Sequence, residues 1–349
     1  MIMENAFFSY LNKYDEAAWA AAVENLLPQI HEVDRNAIVI WFRFYPLGLF
    51  RALESAEDRE AAIRGFALQG DFLLKDQIDR SHEFLYGHRY WKAVKAAIEA
   101  EAAVFEGREI ELDEEIRQIA AMVAEKVKAD TSLLIAITAA GMMTLVQSGL
   151  EAFKAAAGEP RKPSGLMAGS ADAVAASRKN DDSQGVFGFL KTVNKKFSII
   201  YDEYDRKGKF PITLDQQVTN ASAADHTKDW QKLDERRWEG VIPVECTAAS
   251  CGTCWVGVLG GEDKLSEVKR RERRQMKVFG YGQGDAEKPV IRLACQAHAL
   301  GNATIAIAPW NGVFGKKIYG NVDELELEPA TTSAQKLRET IADAVSDNN

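Results

Sequence analysis

Cysteine is used only four times in this chain of 349 residues, and all four fall after residue 245: Cys246, Cys251, Cys254 and Cys295. Three lie on one short stretch as C-x4-C-x2-C, in VECTAASCGTCW, and the fourth follows in RLACQ. Clustered thiols in a chain of this size point to metal rather than to structural disulfides, which belong mainly to small exported domains. Four thiolates at this spacing suit a 2Fe-2S cluster, which takes four sulfur ligands around two irons and moves single electrons. Such a cluster carries negative charge, so its loop must turn several backbone N–H groups inward. Ala248, Ala249, Ser250, Gly252 and Thr253 are small enough to permit that. Two other chemistries could use the same residues. Tetrahedral zinc also takes four thiolates, although zinc sites usually pair two short knuckles instead of placing three ligands on one loop. A redox disulfide between Cys251 and Cys254 would need a thioredoxin-like context, which the flanking sequence lacks.

Residues from about 196 to 310 resemble the 2Fe-2S ferredoxin family, the likeness being carried by the C-x4-C-x2-C loop and by RLACQ around Cys295. The resemblance covers the last third of the chain only. It implies a β-grasp fold, with an initial hairpin, a helix, the cluster loop and a late strand. It also implies one 2Fe-2S cluster, with Cys246 and Cys251 on one iron and Cys254 and Cys295 on the other, the first iron nearer the surface. A low potential, on the order of -400 mV, comes with the plant-type family. The function expected is that of an electron carrier or electron-transfer subunit, not an enzyme, serving redox donor and acceptor proteins. The rival is an iron-sulfur redox sensor or adapter whose cluster state controls partner binding. Two features depart from the family pattern: TNASAADHTKDWQKLDERRWEG is long for the helix before the loop, and LSEVKRRERRQMK is basic where many members carry an acidic docking helix.

Other residues carry weaker signals. His82, Glu83 and His88 in SHEFLYGHRYW could suggest a metal, but a six-residue separation does not put two histidines on one helical face. His298, three residues after Cys295, could approach the cluster, and Trp255 could shield it. Lys269, Arg270, Arg271, Arg273, Arg274 and Lys277 form a basic run that fits either an acidic partner or a solvated helix face. The glycines of Gly280-Tyr281-Gly282-Gln283-Gly284 do not open a helix after a strand, so nucleotide binding is not expected.

The elements that must position the cysteines read as α+β: an N-terminal all-α domain over 1–157, a linker over 158–195, the ferredoxin-like domain over 196–328 and a polar tail over 329–349. Asp15 should cap a helix whose stripe is Trp19, Ala22, Val23, Leu26 and Leu27. Pro46 should break AIVIWFRFYPLGLFRAL, and further helices are expected in DREAAIRGFALQGDFLLKDQI, HRYWKAVKAAIEAEAAVF, DEEIRQIAAMVAEKVKA and the run from Ser132 to about Ala157. The stretch from Ser132 to Leu150 carries no charge over about the length of a membrane span but contains Thr, Ser, Gln and Gly, so a buried or interface helix is expected, with membrane association the lesser alternative. KKFSIIYDEYDRKGKFPITL predicts a hairpin turning at Asp205-Arg206-Lys207-Gly208. The apolar stretches from Val39 to Phe50 and Leu133 to Val146 lead us to expect that the helical domain docks a partner or forms a homo-oligomer. A formal charge of -9 excludes a chain-wide attraction to nucleic acid, and the start MIMENAFFSYLNKYDEAAW lacks an export leader, which makes a cytoplasmic location the expectation.

Overall fold

Apolar residues spaced three and four apart build helices through most of the chain before residue 180, and alternating ones build strands after it. The structure is a computed structural model that describes residues 5–179, 195–202, 208–282 and 287–320. In chain order the helices are α1 (Ala6–Asn12), α2 (Glu16–Leu26), α3 (Glu32–Phe44), α4 (Leu47–Glu54), α5 (Arg59–Gly65), α6 (Trp91–Val104), α7 (Leu112–Val127), α8 (Ile135–Ser148), α9 (Leu150–Ala155), α10 (Ala171–Arg178), α11 (Val218–Ala223), α12 (Trp230–Leu233), α13 (Arg270–Phe279) and α14 (Gly315–Tyr319). The strands are β1 (Gln69–Gly70), β2 (Lys196–Asp202), β3 (Gly208–Thr213), β4 (Trp255–Gly260), β5 (Ile291–Leu293), β6 (Ala303–Ile307) and β7 (Trp310–Asn311). The chain forms two units: Met1–Glu57 with Asp71–Ser177, and Asp58–Gly70 with Arg178–Asp202 and Lys207–Asn349.

The first unit is helical. Asp15 caps α2 by accepting from Ala18 N at 2.8 Å, and Pro46 stands at the break between α3 and α4. Around α8 lie α1, α3, α6, α7 and α9, and every α8 residue from Ile135 to Gln147 is buried. The window Thr131–Ser148 is long and apolar enough to cross a membrane, yet 78% of it is buried inside the structure. A helix wrapped on all sides needs apolar residues all round, which is why its sequence shows no stripe. Gly141 sits where an added Cβ would come 2.7 Å from Ile98 Cδ1 and 3.0 Å from the Trp91 ring, so its lack of a side chain lets α6 close on α8. The apolar stretches that suggested a docking surface are therefore largely consumed here: Ile40, Trp41, Phe44, Leu47 and Leu49 are buried as well.

Two boundaries differ from the sequence expectation. The stretch expected to be linker is part of the helical unit as far as Ser177: Met167, Ala171, Val174 and Ala175 pack with Val33 and Tyr86. Residues 180–194 of that stretch and the tail after 320 lie outside the described residues. Asp58–Gly70, expected within a long helix of the first domain, belongs to the second unit. Only Arg59–Gly65 is helical there, because Ala67 takes a left-handed φ of 49° and the chain then runs into β1, which pairs antiparallel with β7 (Gln69 with Asn311).

The second unit holds a five-stranded sheet of order β3-β2-β6-β4-β5. β2 and β3 form the expected antiparallel pair, with Lys196 opposite Thr213, while residues 203–207 of the turn lie outside the described residues. β6 inserts parallel to β2 and antiparallel to β4, and β5 closes the far edge. Alternation in β3 turns Phe210 and Ile212 into the core. β4 is buried along its whole length, so it reads as a continuous apolar run with no alternation.

Candidate functional site

The loop entering β4 and the turn leaving β5 bring all four cysteines together, because Trp255 pairs with Leu293 in the sheet and Ala294 N bonds Cys254 O at 2.9 Å. All four are free thiols, three of them buried and Cys251 half-buried. They lie as two neighbouring pairs, Cys246 beside Cys251 and Cys254 beside Cys295. The C-x2-C cysteines 251 and 254 are thus not partnered with each other. Among the described residues no three His, Cys, Asp or Glu side chains converge on a point that could hold one metal ion.

Each pair is asymmetric. The nearby Cys251 thiol, the Ser250 hydroxyl and the N–H groups of Ala248 and Ser250 favour the Cys246 thiolate and, against the opposing effect of burial, bring its pKa down to about 5. Ser250 reaches that sulfur from N at 3.3 Å and from Oγ at 3.5 Å. Cys295 is lowered in the same way by the Cys254 thiol, the Gln296 amide and Ala249 N–H, with Gln296 Nε2 at 3.5 Å. Their partners Cys251 and Cys254 are driven up, first by those same thiol neighbours and then by burial. Thr253 N–H faces Cys251 and Cys295 N–H faces Cys254, which partly offsets the rise at each thiol. Glu245, next to Cys246, has its carboxyl pKa raised by burial and by that neighbouring thiolate.

The loop reaches this shape through two left-handed residues, Ala249 at φ 56° and Gly252 at φ 76°. Gly252 is required twice over, since a Cβ there would also come 2.9 Å from the Tyr281 hydroxyl and 3.0 Å from the Phe279 ring. Behind the loop stands an aromatic wall. Trp255 stacks on Tyr281 with centroids 3.9 Å apart and meets Trp310 edge-on at 4.9 Å. The Tyr281 hydroxyl donates to Gly252 O at 2.8 Å and accepts from Gly312 N at 3.1 Å, while Trp255 Nε1 donates to Trp310 O at 2.5 Å. Tyr281, Gln296 and the Glu272–Arg292 pair are the contributors that sequence reasoning missed. A tyrosine between two glycines just after a helix was the available signal for Tyr281, because Gly280 ends α13 at φ 93° and turns Tyr281 inward.

The weaker candidates fall elsewhere. His298 is engaged by Asp215, its Nδ1 lying 2.8 Å from the Asp215 carbonyl oxygen, and no contact joins it to a thiol. Trp255 is fully buried and lines the loop from behind. His82 and His88 meet despite their spacing, Nδ1 to Nδ1 at 2.9 Å, because turns rather than a helix connect them; Glu83 pairs with Arg161 instead. In the run from Gly280 to Gly284, residues 283 and 284 lie outside the described residues.

No protein-family model matches this chain. No curated protein and no solved structure matches it either.

Proposed function

We propose that this chain is an electron-transfer protein that carries single electrons through one 2Fe-2S cluster held by Cys246, Cys251, Cys254 and Cys295. The observation that carries the reading is the arrangement of the thiols as two close pairs, each pair suited to one iron, with Ser250 N reaching the Cys246 sulfur and Gln296 Nε2 the Cys295 sulfur. A zinc site would bring the four sulfurs to one point. The half-buried Cys251 agrees with an outer iron held by Cys246 and Cys251 and an inner one held by Cys254 and Cys295. When bound, the cluster supplies the one-electron couple. The chain's own residues do the rest: the thiols give up their protons on ligation, the N–H groups offset the charge on the sulfurs, and the aromatic wall keeps water from the inner side. The second unit is read as a β-grasp, supported by the leading hairpin β2-β3, α11 after it, the cysteine loop, and β6 inserted parallel to β2.

The deciding experiment is metal and sulfide analysis of purified full-length protein with its visible spectrum. About two irons and two labile sulfides per chain with a brown colour are expected, and Cys251→Ala or Cys295→Ala should abolish both while the helical unit stays folded. Colourless protein with stoichiometric zinc, or both variants retaining native iron and spectrum, would overturn the assignment.

A further inference from the structure

Among the helices of the described residues, α13 carries the most basic side chains. Its buried residues are Glu272, Met276, Val278 and Phe279, which leaves Arg270, Arg271, Arg273, Arg274 and Lys277 on the remaining surface, with Lys269 at the N-cap. The helix's single acid is turned inward: Glu272 is fully buried and spends both oxygens on Arg292, at 2.8 and 3.1 Å, and on Leu293 N at 2.9 Å. Lys269, Arg270 and Arg274 make no ion pair among the described residues, and α14, packed against α13, adds exposed Lys316 and Lys317. This concentration stands out in a chain of formal charge -9.

The helix also lies beside the cysteines. Glu272 in its first turn bonds Leu293 N, two residues before Cys295, and Phe279 at its end packs under Gly252, between Cys251 and Cys254. A molecule seated on the outer face of α13 is therefore separated from the supports of the cysteine loop by about one helix diameter, roughly 10 Å. Because the chain as a whole is negative, an acidic protein is repelled in most orientations and attracted in the one that brings it to this face; such a field selects orientation and raises the rate of productive encounter. We propose that the outer face of α13, continued by Lys316 and Lys317 of α14, is the docking surface for an acidic face of the redox-partner protein, an inference that rests on the cluster reading above. Nucleic acid fits less well, since the basic surface spans only one short helix of an acidic chain.

The test uses the full chain, Arg270→Glu/Arg274→Glu and the milder Arg270→Gln/Arg274→Gln. Neither arginine holds another residue, and a glutamate at the first helical position suits the helix dipole. Fluorescently labelled poly-L-glutamate is titrated against each protein, with oligothymidylate of equal charge as comparison. Wild type should bind poly-L-glutamate with an affinity that falls with salt, the Glu pair should weaken it at least tenfold, and the Gln pair by an intermediate factor. Unchanged binding in the Glu pair, or tighter binding of oligothymidylate than of poly-L-glutamate, would overturn the proposal. A second arm follows oxidation of the reduced protein by ferricyanide, which takes one electron and becomes ferrocyanide. The Glu pair should slow this several-fold at low ionic strength, with the difference vanishing at high salt, and should not slow hexaamminecobalt(III). An unchanged ferricyanide rate would place the electron exit elsewhere. Iron-free protein would sink the cluster reading alone, because the poly-L-glutamate result does not depend on the cluster.

Discussion

Glu272→Ala should be among the most damaging single changes outside the cysteines. The carboxylate is fully buried and Arg292 is 3% exposed, so removing the acid leaves a guanidinium in the core with Ser266 O, 2.9 Å from Nη1, as its remaining partner. An exposed pair of this kind is worth about 0–1 kcal/mol, whereas leaving one charge of a buried pair uncompensated costs about 3–5 kcal/mol. The burial places this pair in the second class. At about 1.4 kcal/mol per factor of ten, amide exchange in β4, β5 and β6 should speed up roughly a hundred- to a few-thousand-fold in Glu272→Ala, provided those amides exchange through opening of the whole unit. Hydrogen exchange read by mass spectrometry on peptides covering residues 291–307 measures this without needing a chromophore. Replacing both partners, as in Glu272→Leu/Arg292→Met, removes the stranded charge but still leaves Leu293 N–H without its acceptor, an expected loss of about 1–3 kcal/mol. The double variant should therefore be more protected than the single one. An acceleration under about fivefold in Glu272→Ala, or a double variant worse than the single, would refute the argument that burial governs this pair.

The helical unit should lose stability on acidification through its histidine pair. Burial holds His88 at about 4 and His82 well below the ordinary histidine value, so between about pH 6.5 and pH 4 the unfolded chain binds protons that the folded unit does not. Stability then falls as pH falls, by up to about 1.4 kcal/mol per pH unit for each histidine. Urea unfolding across that range should show the slope and His88→Gln should reduce it; an identical slope in the variant would refute the assignment. A fragment beginning near residue 190 should unfold at lower urea than the second unit does within the full chain, because it lacks Asp58–Gly70, and a co-expressed piece carrying residues 58–70 should restore part of the difference. Equal midpoints for fragment and full chain would show that the missing segment contributes nothing.

How far these features were legible depends on whether their cause is local. The α2 cap at Asp15, the break at Pro46 and the β2-β3 hairpin each follow from residues within a few positions, and the sequence predicts them. The cysteine loop was legible for the same reason: its cysteine spacing and its small residues are contiguous. The pairing of Cys254 with Cys295 was reached only through a resemblance, since it depends on β4 lying beside β5. Tyr281 and Glu272 were not legible, because each acts across the fold on Gly252 and Arg292, and nothing in their own neighbourhood marks the partner. His82 and His88 were set aside for failing a helical spacing in a stretch that forms turns, where that test does not apply.

The hardest feature to read is also the one that changes how the two parts of the chain relate in sequence. The cysteine loop is shaped from behind by Tyr281, Trp255 and Trp310, and Trp310 begins β7, which pairs with β1. Val313 N bonds Phe66 O at 2.6 Å, Lys317 bonds Gly65 O at 2.9 Å, and Leu68 fills the space over Gly312. Gly312 in turn donates the N–H that the Tyr281 hydroxyl accepts, and that hydroxyl anchors Gly252. A connected set of contacts thus runs from residues 65–70 to the loop between Cys251 and Cys254. A short edge pair such as β1-β7 has little stability of its own, so its worth lies in what it immobilises: the Trp310–Gly312 segment, and through it the aromatic wall. Closing so long a loop costs only slightly more than closing a shorter one, because the entropy grows with the logarithm of its length. Recruiting a segment from within the helical half of the sequence is therefore an inexpensive way to fix the back of the cysteine site, and it makes the second unit discontinuous by construction.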